Sequence, residues 1–172
     1  IQGNTVHHTS WWSPFAPSGI GIWESKNFDW STGYKMFVLD NTVHDVDNKV
    51  PFVFAGRVTD GHGLVVDQTQ STARFRSRSP YVGKTLIAGN DVYDVGGRGV
   101  SVIESRNVDI LGNRLYRTSQ NASHQPRATI DLGRAFNVLI KGNGMDNPRP
   151  YIWQSGNVTA DVDAPGVSAK AR

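Results

Sequence analysis

Apolar and polar residues alternate along this chain in short runs, and the runs recur. Five segments share one pattern: IQGNTVHHT from Ile1, VLDNTVHDV from Val38, IAGNDVYDV from Ile87, ILGNRLYRT from Ile110 and IKGNGMDNP from Ile140. In each, an apolar residue is followed after two spacers by asparagine, and another apolar residue stands two places beyond. The asparagines are Asn4, Asn41, Asn90, Asn113 and Asn143. A second alternating run follows most of them: SGIGIWES from Ser18, GHGLVVDQ from Gly61, RGVSVIES from Arg98 and ATIDLGR from Ala128. A third run leads into the next asparagine: YKMFVLDN, KTLIAGN, NVDILGN and NVLIKGN. Short period-two runs bounded by Gly and Asn predict strands, and no stretch sustains a helical period.

Self-similarity of this kind predicts stacked coils. Asn90 and Asn113 are one short repeat apart, and the longer intervals would carry loops. Parallel coils stack equivalent positions roughly 4.8 Å apart. The asparagines should then form a ladder inside one bend, each side-chain amide bonding the next. Val43, Val92 and Leu115 should share an inner column, and His7, His44, Tyr93 and Tyr116 an outer one. Adjacent strand residues face opposite ways, so His7 and His8 are not expected to share a metal.

The segments GYKMFVLDNTVHDVDNKVPF from Gly33, TDGHGLVVD from Thr59 and YVGKTLIAGNDVYDVGGRGVSV from Tyr81 resemble right-handed parallel β-helix repeat proteins of the polysaccharide-lyase-like (pectin-lyase-like) superfamily. The resemblance implies an all-β, right-handed parallel β-helix of about five coils with loop insertions. It also implies a secreted, carbohydrate-active protein. The solenoid is expected over residues 1–160, with a tail or frayed last strand over 161–172. The chain opens inside a coil at Ile1, so either a covering chain or earlier coils are expected at that end.

Composition narrows the chemistry. At 172 residues and 18.9 kDa the chain has the length of one domain. It has no cysteine, which excludes a disulfide scaffold, a thiol nucleophile and a sulfur-based zinc site. No apolar run approaches the roughly 20 residues of a membrane span, so no membrane partner is expected. The net charge of +3 is mild, and no nucleic-acid motif accompanies it, so no nucleic-acid partner is expected either. Phosphate-binding loops, dinucleotide fingerprints and nucleophile elbows are all missing.

Candidate chemistry lies where the coils carry insertions. His62 and Arg98 fall in one column with Ser18 and Ala128, each flanked by glycine in GHG and GRG. Asp60 and Asp67 bracket His62 and are weak candidates for calcium, the one cofactor entertained. The second coil carries a basic insertion: Arg57, then Arg74, Arg76 and Arg78 at alternate positions, with Lys49 and Lys84 nearby. Guanidinium groups on one strand face bind carboxylates bidentately. Trp11 and Trp12 stand in a first-coil loop suited equally to stacking on sugars and to plugging the loop onto the solenoid or covering its open end. These residues together suggest an acidic polysaccharide or oligosaccharide as partner, and β-elimination at a uronic acid as the leading chemistry. Arg98 and an arginine of the 74–78 run would neutralise the carboxylate, His62 or Lys49 would take the proton, and Tyr34 or a second cation would protonate the leaving oxygen. The alternatives are a β-helix glycoside hydrolase using paired carboxylates and a non-catalytic binding solenoid.

Overall fold

The computed structural model describes residues 1–15, 17–27, 31–70, 81–123, 127–146 and 152–163. Strands come in threes. The first turn of the chain holds β1 (Thr5–His7), β2 (Ile20–Trp23) and β3 (Tyr34–Leu39). The second holds β4 (Thr42–Val46), β5 (Leu64–Asp67) and β6 (Lys84–Ala88). The third holds β7 (Asp91–Val95), β8 (Val100–Ile103) and β9 (Arg106–Leu111). The fourth holds β10 (Arg114–Tyr116), β11 (Ile130–Gly133) and β12 (Phe136–Lys141), and the fifth holds β13 (Gly144–Met145), β14 (Ile152–Ser155) and β15 (Ala160–Asp163).

Every third strand pairs in parallel, giving three five-stranded sheets. Sheet I is β1-β4-β7-β10-β13, sheet II is β2-β5-β8-β11-β14, and sheet III is β3-β6-β9-β12-β15. The chain therefore visits each sheet once per turn, an arrangement compatible with a parallel β-helix-like solenoid. No helix occurs among the described residues. The last strand reaches Asp163, so the first residues past 160 continue sheet III.

The bend between sheets III and I shows why the repeat reads as it does. The residue before each ladder asparagine adopts positive φ: Gly3 at 67°, Asp40 at 53°, Gly89 at 66°, Gly112 at 60° and Gly142 at 64°. Glycine enters that region without steric cost, and Asp tolerates it. The asparagine that follows turns inward. The backbone N–H and Nδ2 of Asn41 both donate to Oδ1 of Asn90, at 3.0 and 2.9 Å. Asn90 repeats this to Asn113, and Asn113 to Asn143, at 2.8–3.0 Å. Asn4 donates to Asn41 in the same way. Nδ2 of Asn90 also reaches the Val38 carbonyl at 2.9 Å, so the ladder meets backbone groups that water cannot.

The core lies between the three sheets. Val43, Val92 and Leu115 are in register and fully buried. Ile87, Ile110 and Ile140 line sheet III from inside, and Leu64, Val66, Val100, Val102, Ile130 and Leu132 line sheet II. The outer column of sheet I is also present. His7, His44, Tyr93 and Tyr116 stack with centroids 5.1, 4.9 and 5.0 Å apart. One expectation fails here. His8 has φ of 54°, which breaks the alternation and swings its ring to within 2.6 Å of His7, Nδ1 to Nδ1.

Candidate functional site on the outer face of sheet II

Alternation in the second strand of each coil decides what points away from the core, although Val65 and Ser101 on this side are buried. The register sets two outward columns on sheet II: Gly21–Val65–Ser101–Asp131–Trp153 and Trp23–Asp67–Ile103–Gly133–Ser155. Trp23 and Trp153 are 49% and 38% exposed, one at each end of this face. They lie four coil steps apart, about 19 Å. A Cβ at Gly21 would stand 2.5 Å from the indole nitrogen of Trp23, so the ring folds back flat over the glycine. At Gly133 the same lack of a side chain opens a groove of about 350 Å³, lined by Ile103, Asp131, Arg134, Ser155 and Gly156.

Carboxylates concentrate between the tryptophans. Burial, then the charges of Glu104 and Glu24, push the Asp67 carboxyl up to about 6, against the Gln68 amide and Arg134. Its Oδ1 is buried and unbonded among the described residues. Glu104, in the next coil, is buried and ion-paired with Arg134. Its φ of 48° belongs to a second positive-φ column, Glu24, Gln68, Glu104 and Arg134. Asp131 is raised by burial, opposed by Arg98 and the Ser101 hydroxyl.

Arg98 and His62 meet as expected. His62 is buried, and its Nδ1 accepts the Arg98 backbone N–H at 3.0 Å, which places the ring hydrogen on Nε2. A Cβ at the neighbouring Gly97 would fall 2.2 Å from that Nδ1, so glycine there makes room for the imidazole. Arg98 Nε stands 3.9 Å from Asp131 Oδ2. Asp60 is raised by burial, offset by the Thr59 hydroxyl that donates to it and by Arg98. The arginine thus sits near two carboxyls at the entrance to sheet II.

The other two expected chemical groups stand elsewhere. The Lys49 ammonium lies 4.3 Å over the Trp11 ring, beside the end of sheet I. Tyr34, on sheet III, donates its hydroxyl to Asp109 at 2.5 Å. That bond, then burial and the Asp109 charge, push Tyr34 up to about 12. Lys84 holds the same carboxylate at 3.1 Å. Trp12 is exposed, and Arg57 belongs to the exposed loop before Asp60. Arg74, Arg76 and Arg78 lie outside the described residues. No cluster of three or more His, Asp or Glu among the described residues is arranged to hold a metal ion.

Sequence reasoning missed Trp23, Glu104, Asp131, Arg134 and Trp153. The alternation held the signal: in IGIW, LVVD, VSVI and IDLG the second and fourth residues point outward. IWQS is the fifth such run. Compared with known proteins, the chain matches no family model, no curated protein and no solved structure.

Proposed function

We propose that this chain is a right-handed parallel β-helix of the polysaccharide-lyase-like kind, secreted, and that it cleaves a glycan bound on the outer face of sheet II. The right hand follows the rule for parallel crossover connections. The observation that carries the function is the neighbouring carboxyls of Asp67 and Glu104, with Asp131 on the next coil, on one sheet face between two exposed tryptophans. Tryptophan faces bind the apolar faces of sugars, and carboxylates bind their hydroxyls.

Hydrolysis is the chemistry this cluster supports best. It needs one carboxyl that keeps its proton and one that stays ionised. Asp67, raised to about 6, would donate a proton to the glycosidic oxygen as the bond to the anomeric carbon breaks. Glu104, held by Arg134, would take a proton from the water that attacks that carbon. A second reading is β-elimination on an acidic polysaccharide, but His62 spends its Nδ1 lone pair on the Arg98 backbone N–H and carries its hydrogen on Nε2, so it is no free base. It ranks lower because Lys49 and Tyr34 stand apart from that pair.

Incubation with neutral and acidic polysaccharides separates the readings. New reducing ends without an ultraviolet-absorbing unsaturated product are the expected result. Unsaturated products would replace hydrolysis with elimination. Neither product from any polysaccharide would leave a binding solenoid.

A further inference from the structure

Four large apolar side chains gather in water on two paired loops. Trp12 is 73% exposed, Phe15 63%, Val53 54% and Phe54 82%. The loops leave sheet I on neighbouring coils, after β1 and after β4. Two backbone bonds join them into one protrusion. The Lys49 N–H donates to the Trp11 carbonyl at 3.1 Å, and the Val53 N–H to the Pro14 carbonyl at 3.0 Å. Single exposed hydrophobic residues are ordinary, but a group of them on one feature marks an interaction surface.

The protrusion is built to leave water. Backbone groups without partners resist that transfer. Here the Ser13 N–H donates to the Ser10 carbonyl and the Phe15 N–H to the Ser13 hydroxyl. The Phe52 N–H reaches the Arg57 carbonyl at 2.9 Å, and those of Ala55 and Gly56 reach the Phe52 carbonyl at 3.0 and 2.9 Å. Pro14 and Pro51 have no N–H to satisfy. Both loops are also anchored. The Trp11 indole N–H donates to the Asp45 carbonyl at 3.0 Å, and the half-buried Phe52 meets Phe54 edge-on, centroids 5.4 Å apart.

Charge selects the partner. Residues 9–15 and 50–56 carry no charged side chain. The first charges on either side of the second loop are Lys49 and Arg57, both exposed cations. An uncharged aromatic tip between two cations complements a lipid surface, where aromatic rings sit at the headgroup boundary and cations meet anionic phosphates.

We infer that the paired loops dock this protein on an anionic lipid surface. Trp12, Phe15, Val53 and Phe54 enter the headgroup boundary, and Lys49 and Arg57 lie against the phosphates. The contact is peripheral, so the lack of a spanning run, from which no membrane partner is expected, does not bear on it. It uses none of the sheet II residues and is independent of cleavage there.

The test is flotation of the full chain with vesicles of phosphatidylcholine, alone or with phosphatidylglycerol added. The chain should float with the anionic vesicles, and less so as salt rises. Phe54→Ser and Trp12→Ser should each weaken that binding about tenfold or more, the loss of one large apolar side chain from the lipid boundary. Arg57→Gln should weaken it about fivefold, the share of one cation at an anionic surface. Thermal midpoints of the three variants should match the parent's, since these side chains are exposed in the fold. The inference is overturned if the parent floats with neither vesicle, or if neutral vesicles hold it as tightly as anionic ones. It is overturned equally if Phe54→Ser and Trp12→Ser both float as the parent does. A parent that dimerises in solution, with Phe54→Ser monomeric, would make the loops a protein interface and overturn it too.

Discussion

Asn90 Oδ1 accepts two hydrogen bonds from Asn41, while its own Nδ2 donates to Asn113 and to the Val38 carbonyl. Asn90→Ala leaves those donors and that carbonyl unmet in a dry bend, and should cost about 1–3 kcal/mol in chemical denaturation. Asn4→Ala, at an exposed rung, should cost less, because water replaces the lost bonds. Asp67 gives a pH signature of opposite origin. Its folded carboxyl titrates near 6 against an ordinary value of 3.8, so between these values the folded state holds more protons than the unfolded one. Stability from this group is therefore complete at low pH and falls as pH rises through about 6. Asp67→Asn should flatten that decline and make the protein more stable than the parent at neutral pH. An unchanged pH dependence of the denaturation midpoint would show that Asp67 titrates normally.

At the scale of strands, two glycines on neighbouring coils should respond differently to the same kind of change. A Cβ on Gly63 would lie 2.3 Å from Val92 Cγ1 and 2.8 Å from the Gly99 carbonyl, neither of which has room to move. Gly63→Ala should cost about 1–3 kcal/mol through overpacking, seen as a lower thermal midpoint. Gly21 faces only the five-membered ring of Trp23, a half-exposed side chain that can swing away. Gly21→Val should leave stability nearly unchanged, lift the indole off the strand and shift its fluorescence toward that of a solvated tryptophan. An unshifted Trp23 emission would show that the ring does not rest on Gly21. Much of this architecture was legible in the chain. The five asparagines, the three strand runs per coil and the inner column of Val43, Val92 and Leu115 all follow from period two and the Gly-Asn or Asp-Asn bend. The site was less legible. The glycine-flanked column did bring His62 and Arg98 together, since register is readable from aligned strands. The carboxylates of sheet II were obscure because Asp131 and Glu104 look like ordinary exposed positions. Only the burial of that outer face, where Val65 is 3% exposed, makes them unusual. His8 shows the limit from the other side, since one positive φ cancels the alternation on which its placement was argued.

Over the whole molecule, each coil contacts its neighbours through three parallel strand pairs and one asparagine rung. Stability in such a stack is set by nearest-neighbour interfaces, so loss at one rung propagates to both sides. The same stacking assembles the proposed site, since no single coil holds Asp67, Glu104 and Asp131 together. Trp23 belongs to the first coil and Trp153 to the fifth, which suits a ligand several sugar units long. Replacing either with alanine should weaken polysaccharide binding by about 1 kcal/mol or more, the loss of one aromatic contact, and unaltered binding in both variants would remove the tryptophans from the site. The most direct measurement is the rate of reducing-end release by Asp67→Asn beside the parent chain, on a polysaccharide that the parent cleaves. The expected result is a rate lower by at least about 100-fold, the usual contribution of a positioned acid, with folding intact. Full activity in Asp67→Asn, or no reducing ends from any polysaccharide with the parent chain, would contradict it.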